Sequence, residues 1–277
     1  MRWLDRVMGS LGRKLAHGFV RELEQQGGLV TSPPNRIKVD AVDLIRQLGS
    51  SGANGELQFF FSMNHRWIAN LSERNRRVAR ETHDFIEEHM GKAFFILNQF
   101  DYLSSKKELV ESLGNDILDL GVYRGGSTRQ LARIFPDKSI HGFDSFEGLP
   151  EDWSYTLAGS FRLERGFLPE IPDNVALYKG WFKDSLPTWR QEHPQARIAL
   201  MRIDCDIYSS TVTVFEELGD LLGVGSWILF DELIGYRGWR DHEYRALQEF
   251  LDDRGLSVEY LAYGLTYVLV ELVPSSV

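Results

Sequence analysis

The chain has 277 residues, 43% of them hydrophobic and 26% charged, and its formal charge at pH 7 is −9. This length and composition predict a globular protein with a full hydrophobic core and argue against disordered and repetitive architectures. The acidic balance excludes a general attraction to phosphate backbones, so we expect no nucleic-acid partner.

The cysteine content and the hydropathy indicate the compartment. The single cysteine, Cys205, can form neither an internal disulfide nor a thiolate metal site, which favours a reducing environment. No apolar stretch reaches the about 18 residues of a transmembrane helix, and the first residues lack the uninterrupted apolar core of a signal peptide. We therefore expect a cytoplasmic protein without stable membrane insertion.

Residues 1–113 have an irregular, helical pattern. The opening of the chain is basic and amphipathic, and residues 72–100 predict one or two amphipathic helices. A capping box from Ser105 to Glu108 predicts the start of a further helix, which ends at Gly114. We expect this N-terminal helical segment to cover the substrate and to build a homo-oligomer.

Residues 114–277 alternate short apolar runs with helical patterns, and this spacing predicts βαβ units with a parallel sheet. The final two strands, 257–263 and 266–272, leave no room for a crossover helix and must be antiparallel. The expected fold is α/β, a mostly parallel seven-stranded sheet with an antiparallel last strand, and it resembles the Rossmann-like class I methyltransferase fold. The five parallel strands are predicted at residues 116–120, 139–143, 175–179, 198–203 and 226–230.

A glycine turn follows the first of these strands, where an open α/β sheet binds its ligands. Gly121 and Gly125 let a ligand approach the backbone, and Ser127 can cap the next helix, whose amino end favours negative charge. Thr128 is a second candidate cap. Asp144 follows the next strand, about 20 residues beyond the glycines, and from this position a carboxylate reaches ribose hydroxyls. This pairing predicts a nucleoside site, with a tight turn that holds no ligand as the alternative.

Aromatic residues follow the third strand. Trp181 and Phe182 can flank an adenine ring, and Asp184 can accept a hydrogen bond from its amino group. The alternative is that both rings belong to the hydrophobic core.

Two pairs of acids follow neighbouring strands. Asp204 and Asp206 come after the fourth strand, and Asp231 and Glu232 come after the fifth, so all four carboxylates should meet at one edge of the sheet. They would raise one another's pKa unless a cation neutralises them. Oxygen ligands without a cysteine partner favour Mg²⁺, with Mn²⁺ or Ca²⁺ as substitutes. Asp206 alone has a second interpretation, as the N-cap of the following helix.

The strings "LGVYRGGST", "HGFDSFEGLPEDW", "KGWFKDSLP", "IDCDIYSST" and "FDE" occur in this order. Over roughly residues 100–272 the chain resembles the macrocin O-methyltransferase family, whose members use S-adenosylmethionine and act largely on sugar hydroxyls of natural products, including antibiotics. The resemblance implies Asp204, Asp231 and Glu232 as metal ligands. Asp119 departs from it, because a glutamate is usual before the glycine turn. The predicted cofactor contacts are Gly121, Val122, Tyr123, Gly125, Ser127, Asp144, Ser145, Trp181, Phe182 and Asp184.

These motifs predict a metal-dependent O-methyltransferase for a sugar or another polyhydroxylated small molecule. A vicinal diol would bind the metal, and Asp206 or Asp204 would accept the proton of the attacking hydroxyl. His242 is a candidate second base or substrate contact, with an ordinary position in the first helical turn as the alternative. Tyr208 and Trp239 are candidate substrate walls or packing residues.

Three other hypotheses compete with this one. Catechols and phenols bind a metal in the same way as a sugar diol, so the motifs do not separate these acceptors. A nicotinamide-dependent dehydrogenase is disfavoured by the glycine spacing, and a non-catalytic nucleoside-binding module has no use for four clustered acids.

Overall fold

The computed structural model describes residues 73–154, 156–164 and 166–275. They belong to one compact unit, Ser72–Val277. The amphipathic pattern at the opening of the chain, and with it most of the predicted lid and oligomerisation segment, lies outside the described residues. Among the described helices, none combines the length and the apolar character needed to cross a membrane.

In the part of the chain that the structure describes, eight strands form a single sheet in the order β1-β7-β8-β6-β5-β2-β3-β4. Within this sheet only β8 runs against its neighbours, pairing antiparallel with both β6 and β7. The class I methyltransferase topology predicted from the sequence is confirmed. The strands are β1 Phe94–Phe95, β2 Asp116–Leu120, β3 Ser139–Asp144, β4 Val175–Lys179, β5 Ile198–Ile203, β6 Trp227–Phe230, β7 Leu256–Tyr263 and β8 Val268–Pro274.

One strand more is present than the seven predicted. The additional strand, β1, has two residues and pairs in parallel with the end of β7. Two residues are too few to produce an alternating pattern, so the sequence carries no signal for this edge strand.

Helices cover both faces of the sheet and connect its strands. Short 3₁₀ turns lie at Gly219–Leu221 and Trp239–Asp241. The helices are α1 Glu73–His89, α2 Gln99–Ser105, α3 Lys107–Leu113, α4 Gly126–Ile134, α5 Phe182–Glu192, α6 Tyr208–Leu218 and α7 Glu243–Arg254.

The predicted capping box is wrong. Helix α3 begins after Lys106, which makes no side-chain capping bond, and the hydroxyl of Ser105 donates to the carbonyl of Tyr102 at 2.7 Å. The Ser105 side chain thus bonds within the preceding helix and is not available to cap α3. The helix does end at Gly114, as predicted.

The core lies in two layers, one on each face of the sheet. Leu118 and Met201 belong to one layer, whereas Ile117 and Leu200 belong to the other, as strand alternation requires. Phe100 and Val110, from α2 and α3, are buried in the second layer. Residues 94–113 therefore pack on the sheet, while the predicted role of the N-terminal segment as a lid stays a prediction.

Candidate active site

The carboxyl ends of four parallel strands meet at one edge of the sheet. The backbone N–H of Gly121 donates to Phe143, and that of Asp204 donates to Leu120, at 3.0 and 2.8 Å. The N–H of Asp231 donates to the carbonyl of Ile203 at 2.9 Å. These bonds continue the ladders beyond the strands, so the glycine turn and the acidic residues are held side by side.

A buried arginine lies among the acids. Arg202, on β5, is 1% exposed. Its Nη1 donates to Asp119 Oδ1 at 2.9 Å, and its Nη2 donates to Asp204 Oδ2 at 2.7 Å and to Asp231 Oδ1 at 2.6 Å. Burial opposes the charge of the guanidinium, but these three carboxylates raise the pKa of Arg202 well above its usual value. The protein thus supplies a cation of its own, which the prediction of a bound ion as the simplest neutralising group overlooked.

Three carboxylates face one another beside this arginine. One oxygen each from Asp204, Asp206 and Glu232 lies within 4.8 Å of the others, an arrangement that can hold a metal ion. Burial and the neighbouring acids raise the pKa of Asp204 and Glu232 well above the ordinary range and that of Asp206 to about 7. Glu232 Oε2 is buried and has no hydrogen-bond partner. We call these three residues the acidic trio.

The trio differs from the ligand set that the family resemblance implied. Asp231 takes part in another interaction, because its Oδ1 accepts from both Arg202 and Gln99, each at 2.6 Å. Burial alone would raise the pKa of Asp231, but these donors lower it below the ordinary value. Asp206, and not Asp231, is thus grouped with Asp204 and Glu232, while the predicted ligand set of Asp204, Asp231 and Glu232 stays a prediction.

Asp206 is not the N-cap of helix α6. The N-cap is Ile207, and no side chain caps this helix. Asp206 has a left-handed backbone with φ 67°, and its N–H donates to Glu243 Oε1 at 3.2 Å. Glu243 is completely buried at the start of α7, where burial raises the pKa of its carboxyl. No feature of the sequence distinguishes Glu243 from other acidic residues in the first turn of a helix.

Asp144, at the carboxyl end of β3, holds the glycine turn in place through hydrogen bonds to its backbone. Its Oδ2 accepts from the backbone N–H groups of Val122 and Tyr123 at 3.0 and 2.7 Å, and its Oδ1 accepts from that of Phe146 at 2.6 Å. Gly121 has a structural role as well, because a side chain there would overlap the carbonyl oxygen of Asp204. The glycine turn therefore lies directly against the main chain of Asp204, with no room for a side chain at position 121.

The helix caps predicted at Ser127 and Thr128 are wrong. Helix α4 is preceded by Gly125 in a left-handed conformation with φ 73° and has no side-chain cap. The Thr128 hydroxyl donates instead to Asp119 Oδ2 at 2.6 Å. Asp119, the departure from the family pattern, is thus fully buried and bonded by Thr128 and Arg202.

The remaining predicted cofactor contacts lie at the ends of β3 and β4. The buried Ser145 hydroxyl accepts from the N–H of Glu147 at 3.0 Å. Trp181 is half-buried beside Asp144, whose carbonyl accepts from the N–H of Gly180 at 3.0 Å. Phe182 packs against the core, and Asp184 is exposed in the first turn of α5.

The three remaining candidates, Trp239, Tyr208 and His242, differ in how deeply they are buried. Trp239 is 1% exposed and packs edge-on against Phe85, with ring centroids 5.1 Å apart, so it is a core residue. The Tyr208 hydroxyl donates to Glu249 at 2.6 Å in an exposed cluster. His242 is half-buried at the N-cap of α7, and burial lowers its pKa.

Comparison with known proteins agrees with this architecture. Residues 168–261 match the family model described as Macrocin-O-methyltransferase (TylF). The resemblance predicted from the motifs is confirmed by this match.

Two curated relatives are similar to the chain. The 8-demethyl-8-(2,3-dimethoxy-alpha-L-rhamnosyl)-tetracenomycin-C 4'-O-methyltransferase of Streptomyces olivaceus is 32% identical over 162 residues, 50% of this chain and 60% of the relative. The demethyldecarbamoylnovobiocin O-methyltransferase of Streptomyces niveus is 27% identical over 181 residues, 54% of this chain and 68% of the relative. The chain thus spans somewhat less than two thirds of the first relative.

A solved calicheamicin methyltransferase has a TM-score of 0.51 and 19% identity, with coverage of 72% of this chain and 91% of that one. At this level of identity the similarity establishes the fold alone.

Proposed function

From the match of residues 168–261 to the macrocin-O-methyltransferase family model, we propose that this protein is an S-adenosylmethionine-dependent O-methyltransferase. Its acceptor is a hydroxyl of a sugar or of another polyhydroxylated small molecule. The observation that carries the proposal is the position of the acidic trio directly beside the glycine turn, joined through the backbone bond from Asp204 to Leu120.

The glycine turn and Asp144 would hold the methyl donor. Three backbone N–H groups already orient the Asp144 carboxylate, and the lone pair that remains on Oδ1 suits a ribose hydroxyl. Trp181, on the neighbouring strand end, is the better candidate for an adenine contact, because Phe182 packs into the core. When bound, the donor supplies an electrophilic methyl group on a sulfonium.

The acidic trio suits a divalent cation. Its donors are all carboxylate oxygens, the preferred ligands of Mg²⁺ and of its substitutes Mn²⁺ and Ca²⁺. Arg202 contacts Asp204 but has no bond to Asp206 or Glu232, and Glu232 Oε2 is left without a partner. When bound, such an ion lowers the pKa of a hydroxyl that it contacts.

Asp206 is the better of the two candidate bases. Asp204 Oδ2 accepts a bond from Arg202 Nη2, so one of its oxygens is already occupied. Asp206 makes no hydrogen bond to Arg202, so its carboxylate is the better candidate to accept the proton of the attacking hydroxyl. His242 stays a candidate substrate contact. We place the protein in the cytoplasm. We also propose that it is a homo-oligomer, and light scattering would test this oligomeric state.

Calorimetric titration tests the cofactor. The purified protein would be titrated separately with S-adenosylmethionine and NAD, with Asp144→Ala as the test variant. Asp137→Ala is a matched control, because Asp137 is exposed and lies before the amino end of β3. Binding of S-adenosylmethionine that is lost only in Asp144→Ala supports the proposal; preference for NAD would overturn it.

An acceptor screen with Mg²⁺ then tests the substrate class. Methylation of glycosylated acceptors, abolished in Asp206→Asn while the variant still binds the donor, is the expected result. Methylation confined to catechols or phenols would assign the same site to the other acceptor class.

A further inference from the structure

A chain of buried hydrogen bonds links the helix that follows the glycine turn to the acidic trio. Thr128, in the first turn of α4, donates to one oxygen of Asp119 at 2.6 Å. The other oxygen of Asp119 accepts from Arg202 at 2.9 Å, and Arg202 in turn donates to Asp204 at 2.7 Å. The first two links join α4 to β2 and β2 to β5, and the third joins β5 to Asp204 directly after it.

This chain is isolated from water. Thr128 and Asp119 are 0% exposed and Arg202 is 1% exposed. In such surroundings hydrogen bonds to charged groups are strong, and leaving one partner unpaired is costly. The Thr128 hydroxyl therefore has a well-defined position only when Asp119 and Arg202 are also in place.

The two ends of the chain lie in different sites. Thr128 follows the glycine turn directly, with Gly125 as the N-cap of its helix. Asp204, at the other end, is a member of the acidic trio. A ligand bound at the glycine turn contacts the segment that carries Thr128, so it further restrains Thr128 and, through Asp119 and Arg202, the carboxylate of Asp204.

We propose that the Thr128–Asp119–Arg202 chain couples the two sites, so that the methyl donor and a divalent cation strengthen each other's binding. This inference rests on the proposed function. Thr128 and Asp119 are positioning residues in this scheme, because they act through Arg202 and do not touch the reacting groups. By linkage the effect is reciprocal, and the same factor applies to both ligands.

The sign of the effect separates the chain from direct electrostatics. A sulfonium and a divalent cation repel each other, so a purely electrostatic interaction would make each ligand weaken the other. Stronger binding in the presence of the second ligand therefore requires a contribution from the protein.

The experiment is calorimetry of the full chain with Mn²⁺, in the absence and presence of saturating S-adenosylmethionine. In the wild type we expect Mn²⁺ affinity to rise about 5-fold or more with the donor. Thr128→Val removes the hydroxyl without changing charge or volume and should bring the ratio to one or below, whereas Thr128→Ser should keep it. Thr213→Val, at a half-buried threonine whose hydroxyl donates to the carbonyl of Ser209 within α6, is the control.

The outcomes are distinct. A ratio of one in the wild type, or an unchanged ratio in Thr128→Val, overturns the coupling while leaving the methyltransferase proposal intact. Failure of the wild type to bind S-adenosylmethionine at all overturns the proposed function and the coupling with it. Urea denaturation of each variant verifies that an altered ratio comes from a folded protein.

Discussion

The backbone N–H of Asp206 donates to Oε1 of Glu243 at 3.2 Å, and this bond ties the acidic trio to the first turn of α7. Asp206 holds a left-handed φ of 67°, which is uncommon for a residue with a side chain. The second oxygen of Glu243 is buried without a partner. Glu243 thus supports the backbone from which the candidate base projects.

Replacement of Glu243 tests this support. Glu243→Ala leaves the buried N–H of Asp206 unpaired, at a cost of about 1–3 kcal/mol, and should lower kcat with little change in KM. Glu243→Gln keeps an oxygen acceptor and should restore much of the rate. Steady-state kinetics with a glycosylated acceptor measures both. Glu249→Ala, at an exposed glutamate on the same helix, is the control; equal rates for all three variants would contradict the role.

Removal of the buried arginine should destabilise the fold. Arg202→Met leaves three carboxylates without their shared donor, and we expect a loss of about 3–5 kcal/mol in the free energy of unfolding. The exposed pair of Arg190 with Asp220 offers a comparison, since Arg190→Met should cost at most about 1 kcal/mol. Urea denaturation decides, and similar losses in the two variants would show that Arg202 is not a structural counter-ion.

Cation removal and ligand replacement test the acidic trio. Exhaustive chelation should abolish methyl transfer, and added Mg²⁺ should restore it. In calorimetry with Mn²⁺, Asp206→Asn and Glu232→Gln should weaken binding more than Asp231→Asn, because an asparagine at 231 can still accept from Gln99 and Arg202. The reverse order would return Asp231 to the ligand set, and full activity after chelation would exclude a metal-dependent reaction.

A buried histidine far from this edge should make stability depend on pH. Burial lowers the pKa of His141 below its ordinary 6.5, although its bond to Asp116 opposes the shift, and nearby His193 adds to it. Near and below pH 6.5 the folded state therefore binds fewer protons than the unfolded state. The contribution of His141 to the free energy of unfolding is therefore fully present above pH 6.5, and it decreases as the pH falls from that value towards the lower pKa of the folded state.

The measurement compares unfolding free energies of the wild type and His141→Phe at pH values on either side of 6.5. The difference between the proteins removes the contribution of the other titrating groups. The wild type should lose more stability than the variant on acidification; parallel losses would contradict the assignment.

The sequence was sufficient for the sheet because each central strand is a short, mainly apolar run, as in β5, where all six residues are buried. It also located the acids, since residues after parallel strands gather at one edge. It did not predict which carboxylates face one another. Asp231 is bonded to Arg202 and is not part of the acidic trio, and this depends on where the Arg202 side chain points. An arginine inside an apolar strand was the available signal for that counter-ion.

Gly121 determines how closely the glycine turn can approach the main chain of Asp204. A side chain there would occupy the place of the Asp204 carbonyl oxygen, so any replacement must push β2 and β5 apart. The spacing between the glycine turn and Asp204 is thereby set by main-chain atoms rather than by side chains. Laboratory evolution towards new acceptors should accordingly alter residues of the outer loops freely, while randomisation of position 121 should return glycine.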